Sequence, residues 1–185
     1  AEYVILNIFD DDHYRSIDRW RWIRIRMFRE EVRTTNPWYF HANPWSHLRF
    51  DPATGAFGEH PSLCPTPEAL YRLADPEFVA AEFARDFVVH CEMAREGDPE
   101  ADPTVLKPVA DALGLSLDAS GPDALARSAD ALHTALALLS SRTVCRMARD
   151  FCDARGKKLL VVLSFGAGNL LRAFAGAPRF DASFL

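Results

Sequence analysis

Tyr3-Val-Ile-Leu-Asn-Ile-Phe-Asp-Asp-Asp-His-Tyr-Arg15 decides how the rest of the chain is read. An apolar run, broken only by Asn7, passes directly into Asp10, Asp11, Asp12 and His13. A short continuous run rich in Val and Ile and ended by Asp predicts a strand buried on both faces. In α/β proteins ligands bind beyond the carboxyl ends of such strands, where this acidic cluster falls. A second run of the same kind, Leu159-Leu-Val-Val-Leu-Ser-Phe165, predicts a partner strand. Gly166-Ala-Gly-Asn-Leu-Leu-Arg172 then opens a helix, with glycines that let backbone approach a ligand at its start. The same glycines would also serve a plain tight turn.

The two strands enclose a long excursion over residues 15–155 that reads as mainly helical. From Arg15 to Arg33 arginines alternate with Trp20, Trp22, Ile23, Ile25, Met27 and Phe28. The three-and-four spacing predicts a helix capped by Asp12 or Ser16, although the strict alternation after Arg21 would suit a strand. Its arginines form either an anion-binding face or a solvated face whose stems cover apolar surface; the acidic chain overall favours the second.

Residues 34–66 carry five prolines and read as a loop, with a hairpin between Leu48 and Glu59 that turns at Pro52 to Gly55. Trp38, Tyr39, Phe40 and Trp45 anchor this loop. His41, His47 and His60 lie in it, at spacings that match no standard metal-ligand motif.

Thr66-Pro67 and Asp75-Pro76 each carry the cap-then-proline grammar of a helix start. The second helix is expected to run to about Arg95. A shorter helix spans Pro103 to Leu113 and ends at Gly114. A long one begins at Pro122 and stops before Gly156, with Leu125, Ala129, Leu132, Leu136, Leu139, Thr143, Met147 and Phe151 on one stripe. His90 and His133 fall inside helices and read as packed or surface side chains.

At 185 residues a single domain with a sizeable core is the default. A net charge of −5 disfavours nucleic acid as a partner. No apolar run approaches the roughly 20 residues of a membrane-spanning helix, and no signal peptide is visible at the start. Cys64, Cys91, Cys145 and Cys152 form no C-x-x-C pair, which suits reduced thiols and suggests a cytoplasmic setting. Two parallel strands cannot stand alone as a sheet, so the chain reads as a segment of a longer protein.

Several stretches resemble a bacterial group of SGNH/GDSL-type hydrolases. They are Asn7-Ile-Phe-Asp-Asp-Asp-His-Tyr-Arg-Ser16, Phe40-His-Ala-Asn-Pro-Trp-Ser-His-Leu-Arg-Phe-Asp51, Leu160-Val-Val-Leu-Ser-Phe-Gly-Ala-Gly-Asn169 and Pro178-Arg-Phe-Asp181. The resemblance implies a three-layer, flavodoxin-like α/β fold with a large helical insertion, incomplete in this chain. It implies esterase- or lipase-like hydrolysis of a small-molecule ester without a cofactor. The family's Gly-Asp-Ser block and late Asp-x-x-His pair are not at their places here, so the resemblance puts the nucleophile outside these residues.

Asp10, Asp12 and His13 are the catalytic candidates, since an Asp and a His three apart can orient one another. Asn7, Arg15, Ser164, Gly166 and Asn169 are the substrate-binding candidates. A second resemblance is to haloacid-dehalogenase-like phosphatases, whose D-x-D motif fits Asp10-Asp11-Asp12 and whose second motif fits Ser164. It implies attack by Asp10, acid-base work by Asp12, and magnesium. A third reading is a non-catalytic binding module that presents the aromatic loop and the arginine stretch.

Overall fold

A computed structural model describes residues 2–20 and 44–176 of the chain. The helix expected from Arg15 to Arg33 does not form over residues 16–20, which are turn, bend and irregular chain; residues 21–33, with Trp38, Tyr39, Phe40, His41 and the helix start at Asp181, lie outside the described residues. The fold is mixed α/β. Two compact units divide it: residues 2–16 with 135–176, and residues 17–20 with 44–134.

In the first unit β1 (Tyr3–Phe9) is followed by one turn of helix, α1 (Asp12–Arg15). β1 pairs in parallel with β4 (Lys158–Ser164), in a register that runs from Tyr3 opposite Lys158 to Phe9 opposite Ser164. Both strands therefore end at the same level. A parallel pair needs a long crossover, and the whole excursion supplies it.

The expectation of burial on both faces is not met. Val4, Leu6 and Ile8 are at least half covered, whereas Tyr3, Ile5 and Phe9 are 56%, 66% and 42% exposed. Leu160 and Val162, which pair with Ile5 and Asn7, lie on the same open face. The alternation has period two, so one face packs and the other does not, although apolar residues occupy both.

The second unit holds an antiparallel hairpin, β2 (His47–Asp51) and β3 (Ala56–His60). Its turn forms for local reasons. The Asp51 carboxylate accepts from Ala53 N (2.9 Å) and Thr54 Oγ1 (2.9 Å), and Gly55 adopts φ +68°, which only glycine takes without strain. The same two bonds hold the Asp51 carboxyl below its ordinary pKa.

A 3-10 helix (Glu68–Ala74) follows Thr66 and Pro67. The helix expected from Asp75 to Arg95 is two: α2 (Pro76–Phe83) and α3 (Phe87–Arg95). Asp86 takes an extended conformation (ψ 125°) and its carboxylate accepts from Val89 N at 3.2 Å, so it caps a new helix instead of continuing the old one. α4 (Pro103–Leu113) starts on the Asp102 cap and stops at Gly114 in the left-handed conformation, as the sequence predicts.

The long helix α5 (Pro122–Asp153) belongs to the second unit up to Thr134 and to the first from Ala135. Its stripe is buried only in part. Ala129, Leu132 and Leu136 are sealed, while Met147 and Phe151 are 37% and 53% exposed. The core of the second unit is Cys91, Ala94, Leu106, Ala110, Ala129 and Leu132.

His90 and His133 are buried. The His90 Nε2–H donates to Ala84 O (2.9 Å), and its Nδ1 accepts from Asp102 N (3.1 Å). His133 Nδ1 lies 3.6 Å from Glu92 Oε1. All four cysteines are free thiols, with Cys91 and Cys152 buried; burial pushes the Cys91 thiol well above its ordinary pKa. No helix among the described residues is long and apolar enough to cross a membrane.

Candidate active site at the ends of the parallel strands

Beyond the ends of β1 and β4 the chain leaves each strand in a different way. After Phe9 it turns into α1. After Ser164 it passes through Phe165 and Gly166 into α6 (Ala167–Phe174). The Asp10 side chain bridges the two exits. Its Oδ2 accepts a hydrogen bond from Gly166 N at 2.9 Å and another from the Asn169 side-chain amide. Asn169 N in turn donates to Gly166 O at 3.1 Å, which closes the first turn of α6. The carboxylate thus sits where a helix N-terminus accepts an anion, held by a backbone N–H and an amide.

The other oxygen, Oδ1, is shut off from solvent and has no hydrogen-bond partner among the described residues. A buried carboxylate oxygen without a donor carries a desolvation cost of about 1–3 kcal/mol or more. That cost is relieved by any N–H donor or cation brought to it.

Gly166 is there for space. A Cβ at this position would meet Asp10 Oδ2 at 3.3 Å and Phe9 Cζ at 3.6 Å. Gly166→Ala is accordingly expected to push the Asp10 carboxylate off its backbone donor. The protein would stay folded, with a loss of stability of about 1–3 kcal/mol as the carboxylate gives up a backbone donor. Urea unfolding followed by circular dichroism checks this, and unchanged stability would mean that the Gly166 N–H bond to Asp10 does not matter.

The remaining sequence candidates fall into three places. Ser164 Oγ donates to Asn7 Oδ1 at 2.6 Å, so these two pair across the strands on the open face of the sheet. Asp12 folds back over the end of β1: its Oδ2 accepts from Phe9 N at 2.9 Å, and its Oδ1 lies 3.1 Å from Arg15 Nη1. Arg15 Nε also reaches Asp11 Oδ2 at 2.9 Å. Asp12 therefore caps the strand exit, and Arg15 neutralises Asp11 and Asp12 in a partly exposed cluster of modest energetic worth.

His13 points elsewhere. It is 1% exposed, and its Nδ1 lies 2.8 Å from Ser141 Oγ on α5. Ser141 Oγ donates to Ala137 O at 3.2 Å, which leaves the hydroxyl oxygen to accept the Nδ1–H of His13. The neighbouring Ser16 and Ser140 hydroxyls also meet at hydrogen-bond distance, and Ser16 Oγ donates to His13 O at 3.0 Å. His13 is a buried fastening between α1 and α5. Ser140 and Ser141, which hold it, carry no signal in the sequence: they sit inside a helix that their spacing makes unremarkable.

Asp10, Gly166 and Asn169 are thus brought together, as are Asn7 and Ser164, and Asp12 with Arg15. Among the described residues no group of three or more His, Cys, Asp or Glu side chains forms a metal cluster. No protein-family model, no curated protein and no solved structure matches the chain.

Proposed function

We propose that the chain is part of an SGNH/GDSL-type serine hydrolase with a flavodoxin-like α/β fold, acting on small-molecule acyl esters. In this reading Asp10 is the acid that orients and stabilises the catalytic imidazolium, and the nucleophilic serine comes from sequence outside these 185 residues. The observation that supports it is the Asp10 carboxylate. One of its oxygens is clamped by Gly166 N–H and the Asn169 amide, and the other is buried without a donor among the described residues. A triad aspartate needs this arrangement: it is held rigidly, and it offers one oxygen to an imidazole N–H. The described serines near the site are committed elsewhere, Ser164 to Asn7 and Ser141 to His13 and Ala137.

The phosphatase reading draws on the same free oxygen, which could face phosphorus or magnesium. It is the weaker of the two, because its acid-base residue, Asp12, has both carboxylate oxygens engaged, one by Phe9 N and one by Arg15.

The two separate by assay. Full-length protein is given p-nitrophenyl butyrate and p-nitrophenyl phosphate, each with and without a chelator. Chelator-resistant hydrolysis of the acyl ester supports the hydrolase. Chelator-sensitive hydrolysis of the phosphate alone overturns it.

A further inference from the structure

We propose that His47 and His60 form a binding site for one first-row divalent cation that prefers nitrogen ligands, of the zinc, nickel or copper class. The site lies in the hairpin, apart from the Asp10 cluster, and its argument is independent of the hydrolase reading.

The two histidines are direct cross-strand partners at the open end of the β2–β3 ladder. Partners in an antiparallel pair project on the same face. Their ring centroids lie 5.8 Å apart, the spacing of two imidazoles that each bond one ion through a nitrogen at about 2.0–2.1 Å. Gly58 lies on the same face, two residues before His60, and a Cβ there would meet only His60 Nε2, at 3.9 Å.

The hydrogen bonding of His47 also suits a metal. His47 is 8% exposed, and its Nδ1–H donates to Trp45 O at 3.3 Å. That bond fixes the tautomer and leaves the lone pair on Nε2, as the second-shell carbonyl does for metal-binding histidines. His47 Nε2 and both ring nitrogens of His60 have no hydrogen-bond partner among the described residues. Arg19 is the cation that would oppose a bound metal, but it is paired with Glu82 and lies 3.6 Å from Asp86 Oδ2, which offsets its charge. Nitrogen donors without carboxylates select borderline transition ions over magnesium or calcium. With two protein ligands, water completes the coordination.

The test is a titration of untagged full-length protein with zinc chloride at pH 7.5. It is followed by calorimetry and by ¹H–¹⁵N spectra of the histidine rings. Zinc is expected to bind one to one, to shift the His47 and His60 ring nitrogens together, and to be displaced by protons at pH 5.5. Magnesium is expected not to bind at this site. His60→Ala removes a half-buried ring and keeps the fold; it should weaken zinc binding by at least about tenfold, the loss that even a supporting residue's removal produces. Zinc binding of wild-type strength in His60→Ala, or ring shifts confined to other histidines, overturns the proposal.

Discussion

If Asp10 is the acid of a serine-hydrolase triad, as proposed, Asp10→Asn in the full-length protein lowers kcat for acyl-ester hydrolysis by about 10³- to 10⁴-fold, with KM little changed. The substitution keeps the shape of the side chain and one acceptor oxygen for Gly166 N–H and Asn169. It removes the negative charge and turns one acceptor into a donor, so the N–H of the catalytic imidazole meets no anion and the wrong tautomer is favoured. Because the loss arises in the transition state, kcat and kcat/KM should fall together. The thermal melt should move little, since among the described residues the wild-type carboxylate already has a buried oxygen without a donor. A loss confined to KM, or none, would remove Asp10 from the chemistry. Under the phosphatase reading the same variant would abolish magnesium-dependent cleavage of a phosphate ester and spare nothing.

Leu132→Ala should be the most damaging conservative change in the helical unit, at about 2–5 kcal/mol of stability. Leu132 is fully buried and belongs to the cluster of Cys91, Ala94, Leu106, Ala110 and Ala129. Many of its neighbours are small, so they cannot reach into the space that the missing carbons leave. The cavity term then adds to the lost transfer energy. The control lies on the same helix and the same sequence stripe: Met147, 37% exposed, should tolerate alanine within about 0.5 kcal/mol. Urea unfolding with a common m-value measures both. Equal losses at Leu132 and Met147 would mean that the stripe is buried throughout, against the exposure found here.

That contrast marks how far the sequence carries. Residue spacing sets the helical period, so α5 and its stripe were legible, as were both parallel strands, the hairpin turn at Asp51 to Gly55 and the stop at Gly114. What the stripe packs against depends on elements distant in sequence, and neither Met147 nor Phe151 announces that it is left open. The break at Asp86 was hidden because Phe83, Phe87 and Cys91 keep helical spacing across it, with no glycine or proline to mark the gap. A capping aspartate signals a start only when the chain before it has already left the helix.

The site divides in the same way. That Asp10 ends a strand and that Gly166 opens a turn can be read locally. Their meeting depends on the parallel register of β1 and β4, and Asn169 lies 159 residues beyond Asp10. His13 shows the converse. Three residues after Asp10 it reads as a triad partner, yet α1 turns its ring to Ser141, 128 residues away. The open face of Tyr3, Ile5 and Leu160 was unforeseeable from composition, since an apolar run looks the same whether or not its second face is covered.

The most direct measurement is the reaction of full-length protein with a fluorophosphonate, which phosphonylates only serines activated by a base. Intact mass and peptide mapping would follow, for wild type and for Asp10→Asn. One covalent equivalent on a single serine of the wild type, formed much more slowly in the variant and unaffected by chelator, is the result predicted. No adduct on the active wild-type protein, or labelling at the same rate in Asp10→Asn, would contradict the assignment of Asp10 to a serine hydrolase.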